Sequence, residues 1–186
     1  MRKQYDVGMV IGRFQPFHHG HECVLAQALD LCNTVVVVLG SAQESRIPHN
    51  PLTAIERERM IRDCFYDELE VNPYCLMFVH LADREKVGND ASWGEYVMRA
   101  VKEQLNLIPD VVFEGYEQER RDWYGSLEIN VMQVSRNSIP ISATLMRNAI
   151  LNNHKKFYET WCATGTEHWY DYLREVIEEC NIKQEQ

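Results

Sequence analysis

The sequence predicts an α/β protein built on a parallel sheet, and three stretches carry that prediction. Thr34-Val35-Val36-Val37-Val38-Leu39 is uninterrupted and β-branched, the signature of a strand covered on both faces and hence of a parallel sheet. A second apolar run covers residues 7–11. It is followed over residues 22–31 by apolar side chains at Val24, Leu25, Ala28, Leu29 and Leu31, a helical spacing. The same strand-then-helix order recurs along the chain, which implies a doubly wound sheet with right-handed crossovers.

Taken in order, strand one is expected over residues 5–11 and the first helix over 22–31, with residues 12–21 as the turn between them. Strand two, residues 34–39, ends in Gly40-Ser41, and a polar loop follows to Pro51. Thr53 with Glu56 three residues on forms a capping box for a helix running to about Phe65. Residues 74–81 read as a third strand. Residues 92–105 read as a helix through Trp93, Tyr96, Val97, Ala100, Val101 and Leu105. A short fourth strand at 110–113 is stopped by Gly115, the stretch 117–125 is charged and irregular, and 127–134 alternates as a fifth strand. Ser142 caps a helix over 143–151, a helix-rich stretch covers 155–180, and the last six residues fray. The expectation is one domain, residues 1–186, with a Rossmann-like sheet of about five strands and a helical C-terminal extension at 151–186. Ligands of such sheets lie beyond the carboxyl ends of the strands. The loops after strands one, two, three and five should therefore face one crevice.

Bulk properties narrow the classes. The net charge is −9 and the pI about 5.3, which argues against nucleic-acid binding by a broad basic surface. An anionic ligand must then be met by positive groups gathered locally. The six cysteines, Cys23, Cys32, Cys64, Cys75, Cys162 and Cys180, contain no C-x-x-C pair. They read as buried reduced thiols rather than a zinc site or a disulfide framework. No apolar run approaches the roughly 20 residues of a membrane span, and no leader precedes strand one, so a cytoplasmic protein without membrane attachment is expected.

Two constellations carry chemistry. The first is Gly12-Arg13-Phe14-Gln15-Pro16-Phe17-His18-His19-Gly20-His21 at the first strand-to-helix turn. Such a turn offers bare backbone amides and the positive end of a helix dipole, which suits a phosphate. His18 and His21 bracket Gly20, which allows close backbone approach. A metal pair or simple capping would use the same histidines, but neither explains Gly12-Arg13 upstream or Pro16 fixing the turn. The second constellation is Ile141-Ser142-Ala143-Thr144-Leu145-Met146-Arg147. Ser142 and Thr144 stand at a helix start with Arg147 about one turn on, and together they make an anion pocket of hydroxyls, amides and a guanidinium. Alone it would read as an ordinary N-cap with a solvated arginine; paired with the first loop it reads as the other half of a phosphate clamp.

These stretches, with Gly40-Ser41-Ala42-Gln43-Glu44-Ser45 and Asn50-Pro51-Leu52-Thr53-Ala54-x-Glu56-Arg57, closely resemble the archaeal-type nicotinamide mononucleotide adenylyltransferases of the HxGH nucleotidylyltransferase superfamily. Gly115-Tyr116-Glu117 and Ser138-Ile139-Pro140-Ile141 look more like the version fused to a Nudix hydrolase domain in some bacteria; no such second domain is expected within these 186 residues. The resemblance spans roughly residues 5 to 151. It implies transfer of AMP from ATP to nicotinamide mononucleotide, giving NAD and pyrophosphate. By position it makes His18 and His21 the pair on the ATP phosphates, Arg13 a nucleotide-phosphate contact, and Ser142, Thr144 and Arg147 the β,γ-phosphate clamp. Gly12, Phe14, Gln15, Gly20 and Gly115 complete the implied ATP side. Mg2+ is expected with ATP, held mainly by the phosphates and not by a carboxylate cage, and no tightly bound organic cofactor is implied. The resemblance also implies a homo-oligomer.

The acceptor needs a platform for a flat pyridinium. Trp93, preceded by Asn89 and Asp90, resembles the family's Asn-x-x-Trp nicotinamide site, and an indole face suits a cationic ring. The register is shifted, since Asp90 stands three before Trp93 and Asn89 one further back; a core tryptophan is the plain alternative. Ser41 and the loop of Arg46 and His49 are expected on the acceptor side, with either Arg46 or His49 reaching the mononucleotide phosphate, or Arg46 simply solvated. Arg120 and Arg121 are read as surface residues. Two rival functions stay open. One is the same fold with another acceptor (nicotinic acid mononucleotide, phosphopantetheine or a flavin); the other is a non-catalytic nucleotide sensor.

Overall fold

The computed structural model describes residues 3–83, 91–115, 123–125, 127–135 and 139–183. Among these, five strands lie parallel in one sheet: β1 (Tyr5–Gly12), β2 (Cys32–Leu39), β3 (Leu76–His80), β4 (Val111–Gly115) and β5 (Asn130–Val134). Their order is β3-β2-β1-β4-β5, every neighbouring pair being parallel. The helices are α1 (His19–Leu31), α2 (Ala54–Arg62), α3 (Ala91–Leu105), α4 (Ala143–Leu151), α5 (Lys155–Trp161) and α6 (Tyr170–Ile182).

The unbroken valine run works as its chemistry dictates. Successive side chains of a strand point to opposite faces, so Val35, Val37 and Leu39 enter one apolar cluster while Val36 and Val38 enter the other. β1 divides the same way, with Val10 on the first face and Met9 on the second. The first face is covered by α1, α2, α4 and the C-terminal helices, through Leu25, Ile61, Met146, Tyr158, Leu173 and Ile177. The second is covered by α3, through Val97, Ala100 and Val101. The carboxyl ends of β1 and β4, where the strand order turns back, mark the open end of the sheet.

Boundaries differ from expectation where side chains intervene. The first helix starts three residues earlier than its apolar pattern, because His18 is its N-cap and accepts from the Gly20 amide. The third strand starts at Leu76 because Pro73–Cys75 forms a 3-10 turn with Asn72 accepting from the Tyr74 amide. The fifth begins at Asn130, since the Leu127 amide is used in a turn to the Tyr124 carbonyl. The capping box of Thr53 and Glu56 forms as its spacing predicts. Past Arg62 the α2 helix continues as a wider π-turn over Asp63–Glu68.

Residues 155–180 bury Tyr158, Tyr170, Leu173, Ile177 and Cys180 in the same cluster as α1 and β2. The Thr164 hydroxyl and amide donate to the carboxylate of Glu22 in the first turn of α1. The backbone of Cys162 forms an isolated antiparallel bridge with His18. No described helix is long and apolar enough to cross a membrane.

Candidate active site

The first turn is built inward from its aromatic residues. Phe14 and Phe17 are buried, and the His21 imidazole lies stacked on Phe17 with ring centroids 5.8 Å apart and edge-on to Phe14 at 4.9 Å. His18 is buried in turn, its ring 3.7 Å from that of His21. The Gly20 amide donates to His18 Nδ1 at 3.1 Å. That bond needs a lone pair on Nδ1, so in neutral His18 the ring proton sits on Nε2 as a donor. Gly12 is required by this packing: a Cβ there would come within 2.9 Å of the Phe14 ring. Gly20 is buried beneath the histidines, and His19 points away, exposed beside Glu22 at 3.1 Å.

Gln15 occupies a different place from the phosphate-facing one expected. Its side chain is buried, donating to the Leu52 carbonyl at 2.7 Å and accepting from the Leu52 amide at 2.9 Å. With both ends of the amide engaged, the side chain staples the first turn to the chain before α2, and only its backbone carbonyl faces the other loop. That carbonyl accepts from Arg147 Nη1 at 2.7 Å, while Arg147 Nη2 reaches the Thr144 hydroxyl at 3.2 Å. Ser142 caps α4 by accepting from the Leu145 amide at 3.2 Å. The two constellations, 132 residues apart in sequence, thus meet through one guanidinium. Arg147 is held below the ordinary arginine range by burial and by the neighbouring Arg13 charge.

Sequence reasoning gave no role to Arg57, which the structure places at the centre of the crevice wall. It is fully buried. Its guanidinium donates to the carbonyls of Arg13 at 2.8 Å, Gly40 at 2.7 Å, Ser41 at 3.3 Å and Thr53 at 3.2 Å. One side chain therefore ties the loop after β1 to the loop after β2. Burial first, then repulsion from Arg13, brings its pKa down to about 10. A signal was available, since α2 buries Ala54, Arg57, Met60 and Ile61, a helical stripe in which one position is a cation.

The loop after β3 joins the same wall. Ser41 is buried, and its hydroxyl donates to Asp83 at 2.6 Å; the Asp83 amide donates to Gln43 at 2.8 Å. The Ala42 amide donates to the Leu81 carbonyl at 2.9 Å. Asp83 was not anticipated. The loops after strands one, two, three and five are thus linked at the carboxyl end of the sheet, as the topology requires. Gly115 closes β4 at that end.

On the side expected for the acceptor, Trp93 lies in the first turn of α3, half-buried, with its ring 5.6 Å from Tyr96 and 6.4 Å from Trp123. Its Nε1 is buried and has no hydrogen-bond partner among the described residues. Tyr96 ties α3 to the loop after β3 by donating to the Ala82 carbonyl at 3.0 Å. A side chain at Gly94 would collide with the Trp123 carbonyl. Asn89 and Asp90 lie outside the described residues, as do Arg120 and Arg121. His49 is exposed, 3.8 Å from Glu44. Arg46 is not a solvated side chain: Nη1 and Nη2 grip both oxygens of Glu56 at 2.9 and 2.5 Å. Among the described residues, no three His, Cys, Asp or Glu side chains converge as a metal cage.

Two strand-to-helix turns meeting across the switch point of a parallel sheet give the architecture of a nucleotidyl-transfer fold. The chain belongs to the cytidylyltransferase-like family, whose family model matches residues 9–149, and within it to the nicotinamide mononucleotide adenylyltransferases. It is 33% identical over 148 residues to the nicotinamide/nicotinic acid mononucleotide adenylyltransferase of Acinetobacter baylyi, covering 78% of this chain and 76% of that one. It is 31% identical over 136 residues to the nicotinamide-nucleotide adenylyltransferase of the archaeon Picrophilus torridus, covering 66% and 77%. Among solved structures, the bifunctional NMN adenylyltransferase/ADP ribose pyrophosphatase of Francisella tularensis shares the fold with a TM-score of 0.77 at 21% identity; the match covers 97% of this chain and 55% of that one. The chain thus spans about half the length of that enzyme. The same Francisella enzyme complexed with AMP and a manganese ion superposes with a TM-score of 0.74.

Proposed function

We propose that the protein is a nicotinamide-nucleotide adenylyltransferase, joining the 5′-phosphate of nicotinamide mononucleotide to the α-phosphorus of ATP. The observation that carries this reading is the bond from Arg147 to the Gln15 carbonyl, because it brings the two phosphate-binding loops into one clamp. In the reaction a phosphate oxygen of the mononucleotide forms a bond to the α-phosphorus as the α–β bridging bond breaks, and pyrophosphate leaves with that electron pair. The attacking phosphate is largely dianionic at neutral pH, so no strong base is needed. Catalysis then consists of aligning two polyanions and neutralising charge on the departing pyrophosphate.

The roles follow from placement. His18 and His21 donate to the ATP phosphates at the positive end of α1. Arg13 and Arg147, close enough to lower the Arg147 pKa, carry charge that a bound polyphosphate relieves. Ser142 and Thr144 open the second pocket, and Gly12, Phe14 and Gly20 shape the first. Ser41, His49 and Trp93 line the acceptor side, where the loops after β2 and β3 meet. The divalent ion, Mg2+, enters with ATP as part of the substrate, held mainly by the phosphates.

The test is release of pyrophosphate from ATP and Mg2+ with each mononucleotide in turn. NAD formed from nicotinamide mononucleotide is the expected result. Product only with phosphopantetheine or a flavin nucleotide would overturn the acceptor. Tight ATP binding with no product from any mononucleotide would overturn the enzyme reading.

A further inference from the structure

The loop between β2 and α2 is fastened from an unexpected direction. Within itself it is closed by backbone bonds between Ile47 and Asn50 at 3.0 and 3.4 Å and by Asn50 donating to Glu44 at 2.7 Å. Its turning point is Arg46, whose φ of 61° lies in the left-handed region. A non-glycine residue holds such a conformation only where its surroundings over-determine it. Here the surroundings are the Arg46 side chain itself, which donates to the Pro51 carbonyl at 2.8 Å, to Glu56 and to the Tyr172 hydroxyl at 3.2 Å. Glu56 accepts from Arg46 with both oxygens while completing the α2 capping box through the Thr53 amide at 2.7 Å. It also accepts from the Tyr172 hydroxyl.

Tyr172 stands on α6, 126 residues beyond Arg46. Its ring lies edge-on to Trp169 at 5.7 Å, and Trp169 is itself anchored by donating from Nε1 to Asp63 at 2.7 Å. The hydroxyl therefore presents to Arg46 and Glu56 from a fixed base rather than from a swinging side chain.

We propose that Tyr172 is a positioning residue for the 44–51 loop. Through Glu56 and Arg46 it couples the C-terminal helical segment to the affinity for the acceptor mononucleotide. Arg46 then acts as the pin of the loop and not as a phosphate ligand, and the segment after α4 gains a role at the site. This inference rests on the reading that the loop flanks the acceptor.

The experiment compares wild type, Tyr172→Phe, Arg46→Lys and the double variant. The readouts are both Michaelis constants, kcat, and the rate of tryptic cleavage after residue 46 followed by mass spectrometry. Tyr172→Phe should raise the acceptor KM by about three- to tenfold, the range that one lost hydrogen bond of ordinary net strength gives. It should leave kcat and the ATP KM within about twofold, since the phosphate loops do not touch it, and should hasten the cut after residue 46. The double variant should be no worse than Arg46→Lys alone, because both act through one carboxylate. Unchanged acceptor KM and cleavage in Tyr172→Phe, additive losses, or a parallel rise of both Michaelis constants would each overturn the proposal. A wild-type enzyme that makes no dinucleotide would instead remove the underlying reading and the affinity claim with it. The tryptic rate would still decide whether Tyr172 holds the loop.

Discussion

The two sides of the crevice are held by different kinds of bond. On the proposed phosphate side, side chains grip backbone: buried His18 the Gly20 amide, Gln15 both ends of Leu52 and Arg57 four carbonyls, and half-buried Arg147 the Gln15 carbonyl. On the proposed acceptor side, side chains grip one another: the partly exposed Arg46, Glu56 and Tyr172 form one group, and the buried Asn50 with Glu44 another. Backbone acceptors cannot move without the strands that carry them, so the phosphate side is fixed before a ligand arrives, as electrostatic preorganisation requires. Side-chain pairs that lie partly in water are individually worth less than bonds in a buried site. The first arrangement suits the step common to all adenylyl transfer, and the second suits the part of the site that must choose an acceptor.

The sharpest way to break this contrast is to remove one phosphate donor without touching the scaffold. His21→Ala should lower kcat on the order of 10²–10³, the usual effect of losing one well-placed donor. The loss of a ring packed on Phe14 and Phe17 should cost far less in folding than in turnover. Steady-state kinetics beside thermal unfolding checks it; a fall in melting temperature that accounts for the lost activity would reduce His21 to a packing residue.

How much of this was legible in sequence follows the same division. The valine run, the capping box of Thr53 and Glu56 and the apolar stripe of α3 are local patterns, and each appears where its period puts it. That the first loop and the Ser142 helix form strand-to-helix turns was legible because residue type and turn position coincide there, and the structure brings the two together. Long-range pairing was not. Nothing local tells that Gln15 spends its amide on Leu52, that Ser41 meets Asp83, or that Tyr172 reaches Glu56. The helix boundary at His18 was missed because histidine is an uncommon N-cap, and the apolar pattern begins only at Cys23 and Val24. Arg57 was given no role because a charged residue in a helix is ordinarily solvated, although its helical phase with Met60 and Ile61 placed it inside.

Arg57 offers the next test, since it spans both sides. Arg57→Met removes a donor from four carbonyls. Those of Ser41 and Thr53 keep the Glu44 and Arg57 amides, but those of Arg13 and Gly40 are left short, each unpaired buried acceptor costing about 1–3 kcal/mol, so the variant should be clearly destabilised. Arg57→Lys keeps the charge but offers a single ammonium in place of the planar fork. It should fold and should raise the Michaelis constants for ATP and mononucleotide together, because Arg13 and Ser41 hang from the same guanidinium. A rise confined to one substrate would mean that the two loops are positioned independently.

The smallest effect expected lies on the acceptor side and is read through acid. Burial alone would raise the Glu56 pKa, but hydrogen bonds from Arg46, Tyr172 and Thr53 outweigh it and bring the carboxyl from the usual 4.5 to about 2. In the unfolded chain the group regains its ordinary value, so between these limits the unfolded state binds more protons. Stability from Glu56 is then present in full above 4.5 and declines as pH falls towards 2. Other carboxylates contribute to acid unfolding as well, which makes the difference between two proteins the useful quantity. The drop in melting temperature from pH 5 to pH 3 should be smaller in Glu56→Gln than in wild type, because the variant has already lost the charge that acid removes. Equal drops would show that the Arg46–Glu56–Tyr172 group adds no pH-dependent stability, and the loop it fastens would then owe its shape to its backbone bonds alone.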